Sequence, residues 1–325
     1  MVKLTGRTLP VATPLVRRLR LSQLQLVRMA GAGANFREMA DALYVTQPAV
    51  TKMAHELERT LGARVFERGA GGMRLSAFGS AILTHAQRAM ATLDQLEEDL
   101  PSYREGAVPA LRVGSPSFTA AVLLSRPVAQ FVRQTAGGRV LMSEGVSAQL
   151  LAALKAGELD CVVGSVDEIS TSDADLGQLR FEPLYDDYVT FVTHPRTPGL
   201  DKLRRLGQLV DLQWVLPPRA SQVWMALRHQ FVAGGHTLPR GVVEGSSITA
   251  IGAIVREAPG TVGALRADAG RYLVRNSGLR MLRILPRIAL PQVGIVRLRS
   301  AQRSIPLEAL LSLVRAETRR IFGVG

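Results

Sequence analysis

The sequence predicts an all-α unit at the N-terminus, one long helix after it, and an α/β domain of two lobes filling the remainder. Three observations predict this. Before residue 79 apolar residues recur at spacings of three and four in short capped runs, from Ser80 to about Leu100 they continue without proline or glycine, and beyond residue 110 strand-like runs alternate with helical ones. With 325 residues, 47% of them hydrophobic, the chain can fill two or three cores.

Residues 1–20 are basic and broken by Gly6, Pro10 and Pro14, which predicts an irregular extension without the apolar core of a secretion signal. Leu21, Leu24, Val27 and Met29/Ala30 then make one helical face, and Gly31-Ala32-Gly33 a turn. Asn35 with Glu38 three residues on has the capping-box pattern for a short helix burying Phe36, Met39, Ala40 and Leu43. After Tyr44-Val45, Thr46 is the expected cap of a further helix, and Pro48 suits its first turn because proline has no N–H to leave unpaired. That helix buries Val50, Met53, Ala54, Leu57 and Leu61 and leaves Gln47, Thr51, Lys52 and His55 outside. Two short helices joined by a tight turn, the second carrying an amide, a hydroxyl and a cation on its leading face, suit a major-groove reader of double-stranded DNA.

Residues 64–76 read as a hairpin around a Gly69-Ala70-Gly71-Gly72 tip, a wing from which Arg64, Arg68 and Arg74 can meet phosphates. The winged helix-turn-helix thus spans residues 21–79, followed by a linker helix over 80–101 that Pro101 should end and a hinge over 102–109. The apolar stripe of the linker helix, with Ile82, Ala86, Leu93 and Leu96 on it, needs a partner surface.

From residue 110 the pattern is strand, helix, strand, helix, which implies a mostly parallel sheet that binds ligands beyond the C-terminal ends of its strands. Lobe one covers about 110–186 and 287–325, and lobe two about 187–286. Strand ends carry Ser115, Ser117, Glu144 and Ser165 in lobe one, and Arg219, Ser221 and Ser246 in lobe two. These groups suit a small anionic or hydroxylated metabolite, with Arg219 able to hold a carboxylate by two hydrogen bonds.

Charge is unevenly spread. Residues 1–90 carry 13 Lys/Arg against 5 Asp/Glu, a local +8 of the chain's formal +13, where a DNA-binding module would put it. The lone Cys161 rules out an internal disulfide and reads as a core hydrophobe, and the five histidines show no ligand spacing. No Walker A, dinucleotide or His-Glu-x-x-His pattern occurs, so no metal or cofactor is expected. A Gly-x-Ser-x-Gly elbow is absent, and the acidic pairs Asp186-Asp187 and Asp173/Asp175 read as solvated turns, so no catalytic residues are assigned. No apolar run reaches 18 residues, so a cytoplasmic protein is expected. The competing reading is a binding protein or enzyme whose N-terminal helices serve only assembly.

The N-terminal string resembles the LysR-type transcriptional regulators. The likeness runs through Leu21-Ser22-Gln23-Leu24, residues 33–43, Thr46-Gln47-Pro48-Ala49-Val50-Thr51 and residues 57–68 to Leu75-Ser76-Ala77-Phe78-Gly79. Gly157-Glu158-Leu159-Asp160, residues 182–187 and Trp214-Val215-Leu216-Pro217-Pro218 are similar to its effector-domain landmarks. The run 285–295 resembles the branch of galactose-binding-protein and protocatechuate-pathway regulators. The resemblance implies a two-lobed periplasmic-binding-protein-like effector domain and a recognition helix whose DNA-facing start is Gln47, Pro48 and Thr51. It also implies Arg64, Arg68 and Arg74 near the DNA backbone or minor groove, and Leu93 and Leu96 on a helix that pairs subunits. Homodimers assembling to a homotetramer, inverted-repeat sites and contact with RNA polymerase are implied as well. Three features depart from the pattern: the uncharged wing tip, the extension before residue 21, and the arginine- and glycine-rich segment 258–282.

Overall fold

The computed structural model describes residues 2–4, 7–9, 14–69, 72–104, 108–165, 177–219, 221–237, 241–245, 247–301 and 304–323. The chain divides into two compact units, Met1–Glu105 with Lys155–Glu158, and Gly106–Leu154 with Leu159–Gly325.

The first unit opens with antiparallel strands β1 (Val2–Leu4) and β2 (Arg7–Leu9) and a short helix α1 (Pro14–Arg18), so the extension is not irregular as expected. Helices α2 (Leu21–Gly31), α3 (Phe36–Ala42) and α4 (Gln47–Leu61) follow. Asn35 caps α3 as expected: its side chain accepts from Arg37 N and Glu38 N, and Glu38 Oε2 accepts from Asn35 N. Strands β3 (Phe66–Gly69) and β4 (Gly72–Leu75) form the wing hairpin, paired Glu67 to Arg74 and Arg68 to Met73. Ala70 and Gly71 of its tip lie outside the described residues. Leu26, Val27, Met39, Val50, Leu57 and Val65 make the buried core.

Helix α5 spans Ala77–Arg104, so Pro101 lies inside it and does not end it. In the last turn a proline forfeits one backbone hydrogen bond and leaves few residues beyond to be disrupted, so the helix runs on. The expected hinge is therefore helical through residue 104, and residues 105–107 lie outside the described set.

In the second unit β5 (Leu111–Ser115) leads into a helical run made of α6 (Ser117–Thr119), a π turn (Ala120–Leu124) and α7 (Ser125–Gln134). Then come β6 (Val140–Glu144), α8 (Ser147–Ala156), β7 (Cys161–Ser165) and the long β8 (Leu179–Thr193). Next are β9 (Gln213–Leu216), α9 (Gln222–Ala233), β10 (Gly241–Glu244), α10 (Ile248–Glu257) and β11 (Thr261–Arg266). The chain closes with α11 (Ala267–Ser277), β12 (Arg280–Leu282), β13 (Ile288–Leu298) and α12 (Ile305–Phe322).

Within lobe one β5 pairs in parallel with β6 and β7, and within lobe two β9 pairs in parallel with β10 and β11. The lobes are joined by antiparallel β8 and β13, which run through both and make one hydrogen-bonded sheet. Their pairing shifts register between Leu290 and Val293, around Pro291, which cannot donate to the ladder. Each lobe has its own core, around Phe131, Leu310 and Ile295 in one and Trp214, Phe231 and Phe191 in the other. Cys161 is buried in lobe one, where desolvation and the neighbouring Asp160 push its thiol up to about 12, so it packs as a hydrophobe. Among the described residues no helix is long and apolar enough to cross a membrane.

Candidate nucleic-acid interface and interlobe site

In the first unit Thr46 has the extended backbone of an N-cap and Pro48 lies in the first turn of α4, but the Thr46 side chain makes no capping bond. Thr46, Gln47, Pro48, Lys52 and His55 are exposed, and Thr51 is half-buried with its Oγ1 donating to Gln47 O at 3.2 Å. A groove of about 790 Å³ brings Gln47, Thr51 and His55 of α4 together with Arg64 and Arg68 before and on the wing strand, and with Arg37 of α3. Arg37 was missed in the sequence, although an exposed cation two residues after the Asn35 cap is a readable signal. Arg74 is exposed but paired with Glu67 at 2.9 Å, so a phosphate must compete for it. Glu58 Oε1 accepts from Val65 N and Phe66 N at 2.9 and 3.1 Å, which fastens the wing to the reading helix. Amide, hydroxyl and imidazole in the middle with guanidiniums at the edge can read base edges while gripping phosphates.

Of the expected subunit contacts, Ala86 is buried in this unit's own core, and Ile82, half-buried, packs against that core. Leu93 is half-buried, and Leu96 is exposed.

In the second unit the C-terminal ends of β5, β7 and β11 carry Ser115, Ser165 and Arg266. The Arg266 guanidinium is 7% exposed. Its Nη1 donates to Gln222 Oε1 at 2.9 Å and Ser165 Oγ at 3.3 Å, its Nη2 to Pro291 O at 3.2 Å, and it lies over the Phe118 ring. Nη2 is also 2.6 Å from Asp187 Oδ2, but the N–H direction misses that oxygen, so the contact is a charge pair without an aligned hydrogen bond. Asp187 Oδ1 accepts from Tyr188 N and Ala267 N. Among the described residues Arg266 Nε and Thr119 Oγ1, both buried, have no hydrogen-bond partner. Beside this pair Asp268 accepts from Tyr185 Oη at 2.9 Å, and burial with the Asp187 charge pushes its carboxyl up to about 6.

Ser165 is therefore the one predicted ligand residue shown in this cluster. Ser115 is 1% exposed and donates to Val163 O at 2.8 Å across the sheet, which uses its hydroxyl structurally. Ser221 caps α9 by accepting from Trp224 N. Arg219 is 76% exposed and 3.7 Å from Glu244, so it does not sit in the buried cluster, and Glu144 is exposed at the end of the outer strand β6. Ser246 and the pair Asp173/Asp175 lie outside the described residues, as does the side chain of Ser117. Asp186-Asp187 is not a solvated turn: it lies within β8, with Asp186 accepting from Gln292 and Asp187 buried against Arg266.

Compared with known proteins, residues 21–80 match the family "Bacterial regulatory helix-turn-helix protein, lysR family", and residues 104–319 match "LysR substrate binding domain". The chain belongs to the LysR family. Among curated members it is 32% identical over 200 residues to the HTH-type transcriptional regulator PcaQ of Agrobacterium fabrum, covering 60% of this chain and 62% of PcaQ, less than two thirds of that protein's length. It is 27% identical over 251 residues to GbpR of Azospirillum brasilense, covering 75% of this chain and 71% of GbpR. Among solved structures, full-length CbnR complexed with its target DNA shares the fold at TM-score 0.59 and 20% identity over 92% of this chain and all of that one. Full-length BenM does so at TM-score 0.53 and 19% identity, over 94% of this chain and 99% of BenM. The LysR-type architecture thus has its N-terminal helix-turn-helix in the first unit here and its mixed α/β effector domain in the second.

Proposed function

We propose that this LysR-family chain is a ligand-responsive, sequence-specific regulator of transcription. It reads double-stranded DNA with Gln47 and Thr51, anchors phosphates with Arg64, Arg68 and, once freed from Glu67, Arg74, and takes a carboxylate-bearing metabolite between its lobes. The observation that carries the reading is the groove that unites the leading face of α4 with Arg64 and Arg68 within the first 90 residues, whose formal charge is +8. CbnR, of the same fold, is described in complex with its target DNA, which supports the same use of α4.

For the ligand, the support is Arg266, a buried guanidinium with an unsatisfied Nε and an imperfectly aligned carboxylate partner at the ends of strands from both lobes. A ligand carboxylate can form the two parallel bonds that Asp187 does not. The protein acts by binding and not by turnover, as a cytoplasmic homodimer that assembles to a homotetramer on inverted repeats and communicates with RNA polymerase. Residues 93–100 of α5, with Leu96 and Leu100 exposed, fit the subunit contact.

The decisive experiment is competition between a duplex selected by the protein from a random pool and unselected DNA. Preference for the selected duplex of at least about 1000-fold is expected, and Gln47→Ala with Thr51→Ala should reduce it. Equal affinity for both duplexes would refute the reading. Screening small carboxylates by thermal shift tests the ligand half, where a hit retained by Arg266→Met would rule out Arg266 as its anchor.

A further inference from the structure

Residues 1–20 contain Lys3, Arg7, Arg17, Arg18 and Arg20 and no Asp or Glu. Arg17 and Arg18 form the last turn of α1, are exposed, and make no ion pair among the described residues. Arg20 stands at the N-cap of α2, 71% exposed, with its Nη1 3.7 Å from Glu56 Oε2 of α4. Glu56 is four residues, one helical turn, beyond the exposed Lys52, so the two lie on the same side of the reading helix. The basic segment therefore joins the domain on a flank of α4, about 100° round the helix from His55, and a duplex whose major groove holds α4 runs a phosphate backbone along such a flank.

We propose that this segment is a second DNA-contacting element, in which Arg17 and Arg18 grip backbone phosphates flanking the bases that α4 reads. The inference rests on the DNA-reading role of α4. Exposed guanidiniums without acidic partners repel one another, and a polyanion relieves that repulsion while releasing its condensed counterions. DNA is favoured over other polyanions because the root of the segment is tied to the reading helix itself.

The test uses the full chain and a duplex that the wild-type protein selects from a random pool, long enough to extend beyond the protected bases. Affinity is measured between roughly 50 and 200 mM salt, where log K falls by about 0.9 per phosphate contact for each unit of log salt. Arg17→Gln with Arg18→Gln should make that slope shallower by roughly 1.8 per bound chain if each arginine meets one phosphate. Arg17→Lys with Arg18→Lys should restore it, and trimming the duplex to the protected core should abolish the difference between wild type and the glutamine variant. A slope unchanged in the glutamine variant, or a change that persists on the trimmed duplex, would overturn the flanking contact while leaving α4 as the reader. A variant that loses binding to phosphatidylglycerol vesicles with no change on DNA would assign the segment to a membrane surface instead. If the wild-type chain enriches no duplex, the DNA-reading role fails first and the segment's role with it.

Discussion

Replacing Arg266 by methionine keeps the unbranched apolar stem, removes the buried guanidinium, and leaves the Asp187 carboxylate, itself fully buried, without its charge partner. Taken alone, the attraction at 2.6 Å is about 6 kcal/mol at an effective dielectric of 20, most of it offset by desolvation of both ions. The quantity that a single replacement reads is different: an uncompensated buried charge, at about 3–5 kcal/mol. The bonds from Tyr188 N and Ala267 N to Asp187 remain and hold the loss near the lower end, about 3 kcal/mol. Arg266 also restrains Asp268, so its loss should cost more at pH 8 than at pH 5. Both tryptophans, Trp214 and Trp224, lie in lobe two, and urea unfolding followed by their fluorescence reports this part of the chain. Arg266→Met combined with Asp187→Asn should recover most of the loss, because the stranded charge is removed while the amide oxygen can still accept from Tyr188 N and Ala267 N. A single-variant loss below about 1 kcal/mol, or a double variant as unstable as the single, would refute the reasoning.

Two further outcomes are expected. Gly79→Ala should destabilise the first unit by about 1–3 kcal/mol in thermal unfolding, because an added Cβ would stand 2.2 Å from Val65 O, a backbone atom already accepting from Ser76 N; an unchanged transition would show that α5 and the wing strand can part freely. Asp268 has a folded pKa of about 6 against an ordinary 3.8, so the folded state binds the extra proton and stability falls as pH rises from about 4 to 6, staying lower above. The full effect is on the order of 3 kcal/mol. Asp268→Asn should therefore gain on the wild type as pH rises through that window, and parallel pH profiles for the two proteins would contradict the assignment.

The helices of the first unit were legible because their signals are local: Asn35 with Glu38, Pro48 at a first turn, and an apolar stripe at a period near 3.6. Pro101 misled because a proline near a helix end and one just past it look alike in sequence. Ser115, Glu144 and Ser165 do stand at the ends of β5, β6 and β7 as expected, but the serines of the second unit divide by what they happen to face. Ser115 meets Val163 O and Ser221 meets its own helix, and neither partner can be read from a spacing. Asp187 and Arg266 are 79 positions apart, and no periodicity links them. The segment that fitted the expected helices poorly is the one that delivers Arg266, because β11 ends there and α11 begins at the next residue.

That position explains what an exchange at Arg266 would do. Asp187 lies on β8 opposite Leu290 of β13, and Pro291 O, one of the acceptors of the Arg266 guanidinium, sits where the β8 to β13 register slips. One guanidinium thus holds both strands that run between the lobes, at the place where their own pairing is weakest. A ligand carboxylate that takes Arg266 from Asp187 leaves a buried carboxylate to be neutralised by Tyr188 N and Ala267 N alone, beside an Asp268 that already resists ionisation. The cheapest relief is a proton on Asp268, whose carboxyl is already raised to about 6. Ligand binding should therefore take up a proton near pH 7, seen as a binding enthalpy that varies with the ionisation enthalpy of the buffer, and a buffer-independent enthalpy would show that Asp187 keeps its partner when the ligand is bound.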